Sequence, residues 1–441
     1  MTRRARPIHL LLLVVVCASA VARADEPLQI GVRAGGHYTD NVNRTATDEI
    51  SSTGVSGGLA IGGQDITGPL QYSMFGDVNY QKLENATTGE EVRGRAAGTG
   101  SYEFLPETFA WTVAGLFTQM RADLQQGDTV ENREDVLTLG TGPSFTGYVS
   151  DAFAVKANAR YTQSDYSKRD MDNSSVGGEL LFGRVQPRAG FLGVGAGYID
   201  VSFDNHTDPE AVDYARREAF VRAQLRGVRT TLSLDAGYAR VESDDQEADG
   251  PVVRLDLTRP LGSYLSGSLT YSRSFAITQD SDLRPTTNVE PDESLLTAGP
   301  REVETVGAYF SFRKQRTSLD FGYYHSDEEA QLGLIGERET NQARLRMSRW
   351  LTARSELQLF GVWSDENLKT RDLRSNEVLF GMQLDLAFGR KLGLLALVEH
   401  RDRESDLPVS TFKELAVGLY LRYGRVDPSI AEGGATAPLA P

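Results

Sequence analysis

Leu70 to Gln81 reads LQYSMFGDVNYQ. Leu70, Tyr72, Met74, Gly76, Val78 and Tyr80 share one parity, and Gln71, Ser73, Phe75, Asp77, Asn79 and Gln81 share the other. Successive side chains of an extended strand point to opposite faces, so this stretch predicts a strand with one apolar and one wet face. The pattern recurs in FAVKANARYTQS (153–164), where Phe153, Val155, Ala157, Ala159 and Tyr161 oppose Lys156, Asn158, Arg160 and Thr162. It recurs again in VLFGMQLDLAF (378–388), where Val378, Phe380, Met382, Leu384, Leu386 and Phe388 oppose Gln383 and Asp385.

The alternating segments run about 10–15 residues, longer than the usual ~5–6 of soluble sheets and suited to a tilted bilayer crossing of ~9–11. Two kinds of connection alternate between them. Short ones carry Pro or Gly, as in GPL near 68–70, LPET at 105–108, VQPR at 185–188, RPLGS at 259–263 and FGRKLG at 388–393. Long acidic ones include LQQGDTVENRED, YSKRDMDNSS, DNHTDPEAVD, VESDDQEADG, TQDSDLRPTTNVEPDESLLTAGPRE and HRDRESDLPV. Short periplasmic turns opposite longer extracellular loops are the layout of an outer-membrane barrel. The expectation is an all-β, transmembrane, up-and-down antiparallel barrel of about 20 strands (18–20) from Leu28 to Tyr423, without a plug domain. A soluble sandwich, propeller or solenoid fits neither the strand length nor the loop asymmetry, and no fixed-period repeat is present.

Residues 1–24 predict a signal peptide. Arg3, Arg4 and Arg6 precede an apolar core, and Ala22-Arg23-Ala24 offers a cleavage site before Asp25. A lipoprotein reading through Cys17 is weakened by Val16, where a small residue is usual. Cleavage would remove the one cysteine and four arginines, taking the net charge from −15 to −19. Such a chain has no disulfide framework and does not suit nucleic acid or anionic headgroups as partners. Residues 25–424 would form the barrel, in contact with outer-membrane lipid and lipopolysaccharide, and 425–441 a disordered tail rich in Ala, Pro and Gly.

Twenty strands about 4.8 Å apart and tilted about 40° enclose a backbone diameter of roughly 40 Å, too wide for side chains to fill. The lumen is therefore expected to be a polar channel. The long segment 278–302 could fold into it or project outward. Lys156, Arg160, Arg222, Arg226, Arg254, Arg344 and Arg346 fall on the predicted inner face, with Asp77, Asp235, Asp256 and Asp385. Arginine rungs can line an anion path, or they can cross-pair with carboxylates and stiffen the wall.

Strands leaving toward the long loops share an aromatic-then-acidic exit. Tyr38, Tyr80, Tyr161, Tyr198, Tyr238, Tyr323 and Trp363 would form an aromatic girdle beneath a charged rim. Catalysis lacks a constellation. His37, His206, His325 and His400 are scattered, no pair has ligand spacing, and neither G-x-S-x-G nor a P-loop occurs. The expectation is no enzyme, no metal and no cofactor. Four N-x-S/T triplets match by chance in this setting.

Two resemblances add to this. ELAVGLYLRYG (414–424) resembles the C-terminal signal read by the barrel-assembly machinery, with Gly418, Leu421 and Tyr423 at the matching offsets. It departs in having Ala416 where a polar residue is usual and a tail after the aromatic. The first strand ends in HYTDNVNR, with Tyr38 followed by Asp40, Asn41 and Val42. With the signal segment and plug-free meander, this resembles outer-membrane β-barrel porins encoded near exopolysaccharide export genes, and related proteins of exosortase-type surface systems. The resemblance implies moving polysaccharide across the outer membrane, or a role in surface assembly, with periplasmic export components as partners. A diffusion porin for small hydrophilic solutes and a structural or adhesive barrel remain the alternatives.

Overall fold

A computed structural model describes residues 28–47, 49–86, 90–122, 132–186, 190–207, 211–243, 246–276, 301–331 and 337–424. The signal segment, the tail and nearly all of 278–302 lie outside these.

The first ten strands are β1 Gln29–Thr39, β2 Ser52–Asp65, β3 Leu70–Leu83, β4 Glu90–Leu105, β5 Phe109–Arg121, β6 Arg133–Ser150, β7 Phe153–Tyr166, β8 Asn173–Gln186, β9 Gly190–Phe203 and β10 Tyr214–Arg226. The second ten are β11 Thr231–Glu242, β12 Glu247–Pro260, β13 Leu265–Ala276, β14 Arg301–Lys314, β15 Thr317–Ala330, β16 Glu337–Thr352, β17 Ser355–Leu368, β18 Leu373–Ala387, β19 Leu392–Ser405 and β20 Phe412–Tyr423. Each strand pairs antiparallel with the next, and β1 pairs with β20, so the sheet has no free edge. The protein is thus an up-and-down barrel of twenty strands, and no plug domain stands in the lumen among the described residues.

The period-two pattern of the sequence becomes two surfaces. Ile30, Val32, Val55, Leu59, Val176 and Leu359 stand exposed on the outside, as side chains do that replace water contacts with lipid. Aromatics border this band at both ends. At the loop end, Tyr38, Tyr80, Tyr161, Tyr198, Tyr238 and Tyr323 are exposed, and Trp363 is half-buried on the same outer parity. At the turn end lie Tyr102, Trp111, Tyr148, Phe182, Tyr264 and Tyr423, a second belt not anticipated from sequence. Tyr161 and Phe153 share the outer face of β7 eight residues apart. That places them about 20 Å apart along the barrel axis, close to the ~25 Å apolar band of such barrels.

Several acidic exits expected as long loops are strand. VESDDQEADG is ladder at both its ends, since β11 reaches Glu242, β12 starts at Glu247, and the Ser243 amide donates to the Gln246 carbonyl at 2.9 Å. β15 likewise runs through HSDEEA, and β19 continues to Ser405. Beyond the apolar band both faces meet water, so the apolar signal ends while the hydrogen-bonded ladder continues. Cross-strand ion pairs hold these extensions, as between Arg240 and Glu247 and between Lys82 and Glu90 at 3.0 Å.

Candidate functional site

The register fixes which side chains enter the lumen. Lys156, Arg160, Arg222, Arg226, Arg254, Arg344 and Arg346 share the inner parity with Asp77, Asp235, Asp256 and Asp385. Among the described strands, Lys156 is the one inward lysine, its ammonium 5.2 Å from the Phe191 ring centroid, and arginine supplies the other inward cations. A guanidinium offers several donors in a plane and can bridge two carboxylates at once.

That bridging organises β8 to β12. Arg222 holds Glu179 at 2.8 and 3.0 Å and Asp235 at 2.7 and 2.8 Å. Arg254 holds Glu218 at 2.9 Å and approaches Asp235 at 3.9 Å. Glu179 and Arg222 lie two strands apart and meet because the intervening β9 presents Gly193, Gly195 and Gly197 inward. A Cβ on Gly197 would stand 3.0 Å from Glu218 Cγ. The partner glutamates were not singled out from sequence, because carboxylate parity alone does not reveal which strand an arginine will reach. Asp77 and Asp385 are also paired, with Arg95 at 3.3 Å and Arg422 at 2.6 Å.

Toward the loop end the inner face changes character. Met120, Val136, Tyr166, Val201, Phe203 and Val241 belong to one buried apolar cluster contributed by β5 to β7 and β9 to β13. Buried charges accompany it. Glu134 accepts from the Arg169 Nε at 2.6 Å and from the backbone amides of Lys168 and Arg169. Arg216 donates to the Phe275 carbonyl at 2.5 Å.

The farthest-reaching contact joins opposite walls. Glu366 on β17 accepts from Arg338 of β16 at 2.9 Å and from Arg121 of β5 at 3.0 Å. By the short way round, β5 and β17 are eight strands apart. On a circular section that separation is roughly 35–40 Å, beyond the reach of two side chains. The two walls are therefore drawn together at this end, and the mouth is pinched.

The motif that carries the family resemblance lies at the β1–β20 seam. Backbone pairing runs from Val32–Tyr423 to Thr39–Ala416. Asp40 then exchanges bonds with Leu415, its amide donating at 3.2 Å and its carboxylate accepting at 2.7 Å. The Asn41 side chain donates to the carbonyls of Thr45 and Lys413, both at 2.8 Å, and accepts from the Thr45 amide at 3.1 Å. Glu414 accepts from Thr39 and Arg44, both at 2.9 Å. The motif fastens the last strand to the first. Gly418 faces the lumen in β20, while Leu421 and Tyr423 stand exposed outside.

The histidines do not converge. His37 points inward, His206 sits in a loop 3.5 Å from Asp213, His325 meets Asn341 at 2.9 Å, and the His400 ring lies 5.1 Å from Phe380. Among the described residues no group of three His, Cys, Asp or Glu could hold a metal.

No family model matches the sequence, and no curated protein does. Solved structures with a similar outline include the siderophore receptor PirA from Pseudomonas aeruginosa, with 12% identity, TM-score 0.43, and coverage of 91% of this chain and 81% of that one. The FrpB iron transporter from Neisseria meningitidis has 9% identity and TM-score 0.46, covering 92% and 83%. The unliganded ferric citrate transporter FecA has 9% identity and TM-score 0.42, covering 90% and 79%. At these values the likeness is one of outline.

Proposed function

We propose that the protein is an outer-membrane channel whose cargo is an exported polysaccharide, with the long loops outside the cell and the short turns in the periplasm. The carrying observation is the inner face, where arginines and carboxylates neutralise one another along the wall. Arg222, Arg254, Arg95 and Arg422 are all engaged in this way. A neutralised polar wall lets a hydrated polymer slide over many weak contacts, whereas a run of unpaired cations would hold an anion in place.

The pinched mouth favours a channel that opens for its cargo over a diffusion porin for small solutes. The resemblance of Tyr38, Asp40, Asn41 and Val42 to barrels encoded beside export genes supports the same cargo. Periplasmic export components would deliver the chain, and the barrel-assembly machinery would insert the protein by way of β20.

Deletion of the gene tests this directly. Surface polysaccharide should fall while uptake of small solutes is unchanged. Unchanged surface polysaccharide with reduced small-solute uptake would assign the diffusion role instead.

A further inference from the structure

A cavity of about 490 Å³ opens in the lumen against the seam, within the ~300–1,000 Å³ typical of small-ligand sites. Its lining includes Arg33, His37, Asn79, Gln81, Glu399 and Tyr420, from β1, β3, β19 and β20. Four features of this cavity point to a ligand.

The first is space made by glycine. The inner face of β2 presents Ser52, Gly54, Ser56, Gly58, Ala60 and Gly62, so the long side chains of its neighbours fold across it. A Cβ on Gly58 would stand 2.7 Å from Arg33 Nε and 3.2 Å from Asn79 Oδ1. The second is unmet hydrogen bonding. Both ring nitrogens of His37 and Asn79 Oδ1 line the cavity and are shielded from solvent without a partner. Buried polar atoms without partners are costly, and a polar ligand would satisfy them.

The third is a flat aromatic. Tyr420 lies over Gly418, where a Cβ would stand 2.8 Å from its Cζ, so the ring rests along the wall. The Arg33 guanidinium is 5.9 Å from the ring centroid. The fourth is charge balance. Arg33, Arg44, Arg93 and Arg401 are matched by Glu90, Glu91, Glu399 and Glu414, and Glu91 and Glu414 are already held by arginines. A neutral lining neither attracts nor needs an ion.

We infer that this seam cavity is a binding subsite for a neutral saccharide, with Tyr420 as the stacking surface and Asn79 and His37 as hydrogen-bonding partners. An uncharged sugar has an apolar ring face and a rim of hydroxyls, each able to donate and accept. The inference deepens the polysaccharide reading, on which its choice of substrate class rests. Its test measures binding to purified protein, so failure here is distinguishable from failure of export in cells.

The full barrel in lipid nanodiscs is titrated with maltose, cellobiose and digalacturonate, followed by saturation-transfer NMR and calorimetry. At least one neutral disaccharide should bind and digalacturonate should bind more weakly. Tyr420→Ala and Asn79→Ala should each weaken the neutral sugar by about tenfold or more, and Tyr420→Phe should retain it. Heat-modifiability on gels verifies that each variant is folded. If Tyr420→Ala does not fold, Asn79→Ala against Tyr420→Phe decides alone. No binding of either neutral sugar, binding unchanged by Asn79→Ala, or preference for digalacturonate would overturn the assignment.

Discussion

Along single strands, the lumen wall of this protein passes from a packed interior to a wetted surface. On β16, Arg338 is 3% exposed near the loop end, while Arg346, eight residues further on toward the turns, is exposed. On β10, Tyr214 is buried and Arg226 is exposed. The wall is one continuous ladder, and only its inward side chains differ. At the loop end they are Met, Val, Phe and Tyr, with charges bolted in pairs. Toward the turns they are mixed: Arg226 and Arg346 are exposed, while Leu181, Phe191 and Phe220 form a second, smaller buried cluster. On the channel reading, the packed loop end of the lumen would have to move for cargo to pass.

The largest effect is expected at the bolt across the mouth. Glu366→Gln leaves Arg121 and Arg338 buried side by side without their shared carboxylate. Breaking a buried pair by removing one partner costs about 3–5 kcal/mol. The opposed walls should part, and conductance in planar bilayers should rise above that of the unaltered barrel. Equal conductance in the two proteins would mean that the constriction lies elsewhere.

A smaller effect is expected in the lower wall, where Arg222 is somewhat more open to water than Arg121 and Arg338. Arg222→Met strips Glu179 of both its hydrogen bonds, while Asp235 keeps Arg254 at 3.9 Å. Hydrogen bonds to charged groups contribute about 1.5–3 kcal/mol each, and hydration of the lumen returns some of that, so a net loss of roughly 2 kcal/mol is expected. It should appear as a lower denaturant midpoint with conductance little changed. A conductance rise as large as that of Glu366→Gln would erase the distinction between the two ends.

How much of this was legible in the sequence follows the same division. Twenty strands could be counted because a bilayer imposes apolar residues on one parity and aromatics at the band's edges, as Tyr38, Tyr161 and Tyr323 illustrate. Inward parity placed Arg222 and Asp235 for the same reason. What lies beyond the bilayer was not legible. With water on both faces, Glu242 and Glu247 give no alternation to mark them as strand. The meeting of Arg121 with Glu366 depends on how the closed wall bends, which no local pattern encodes. The seam cavity depends on which side chains glycine lets fold across β2, and a stripe of Gly and Ser reads equally well as mere strand.

The seam motif offers the finest discrimination, since it sits at the loop end yet belongs to the wall. HYTDNVNR closes the first strand, and in the structure it is a fastening. Asn41→Ala removes the donor to Lys413 and Thr45 and the acceptor for the Thr45 amide. Asn41 is fully buried, so the groups it leaves unpaired should cost about 1–3 kcal/mol. The effect should be local. Hydrogen exchange should quicken in the upper halves of β1 and β20, where Thr39 pairs with Ala416, and stay unchanged at the Arg222 ladder. Because the clasp and the mouth bolt share no partner, Asn41→Ala combined with Glu366→Gln should be additive in stability. A strongly non-additive pair would show that seam and mouth open as one unit, so that the loop end behaves as a single cooperative cap.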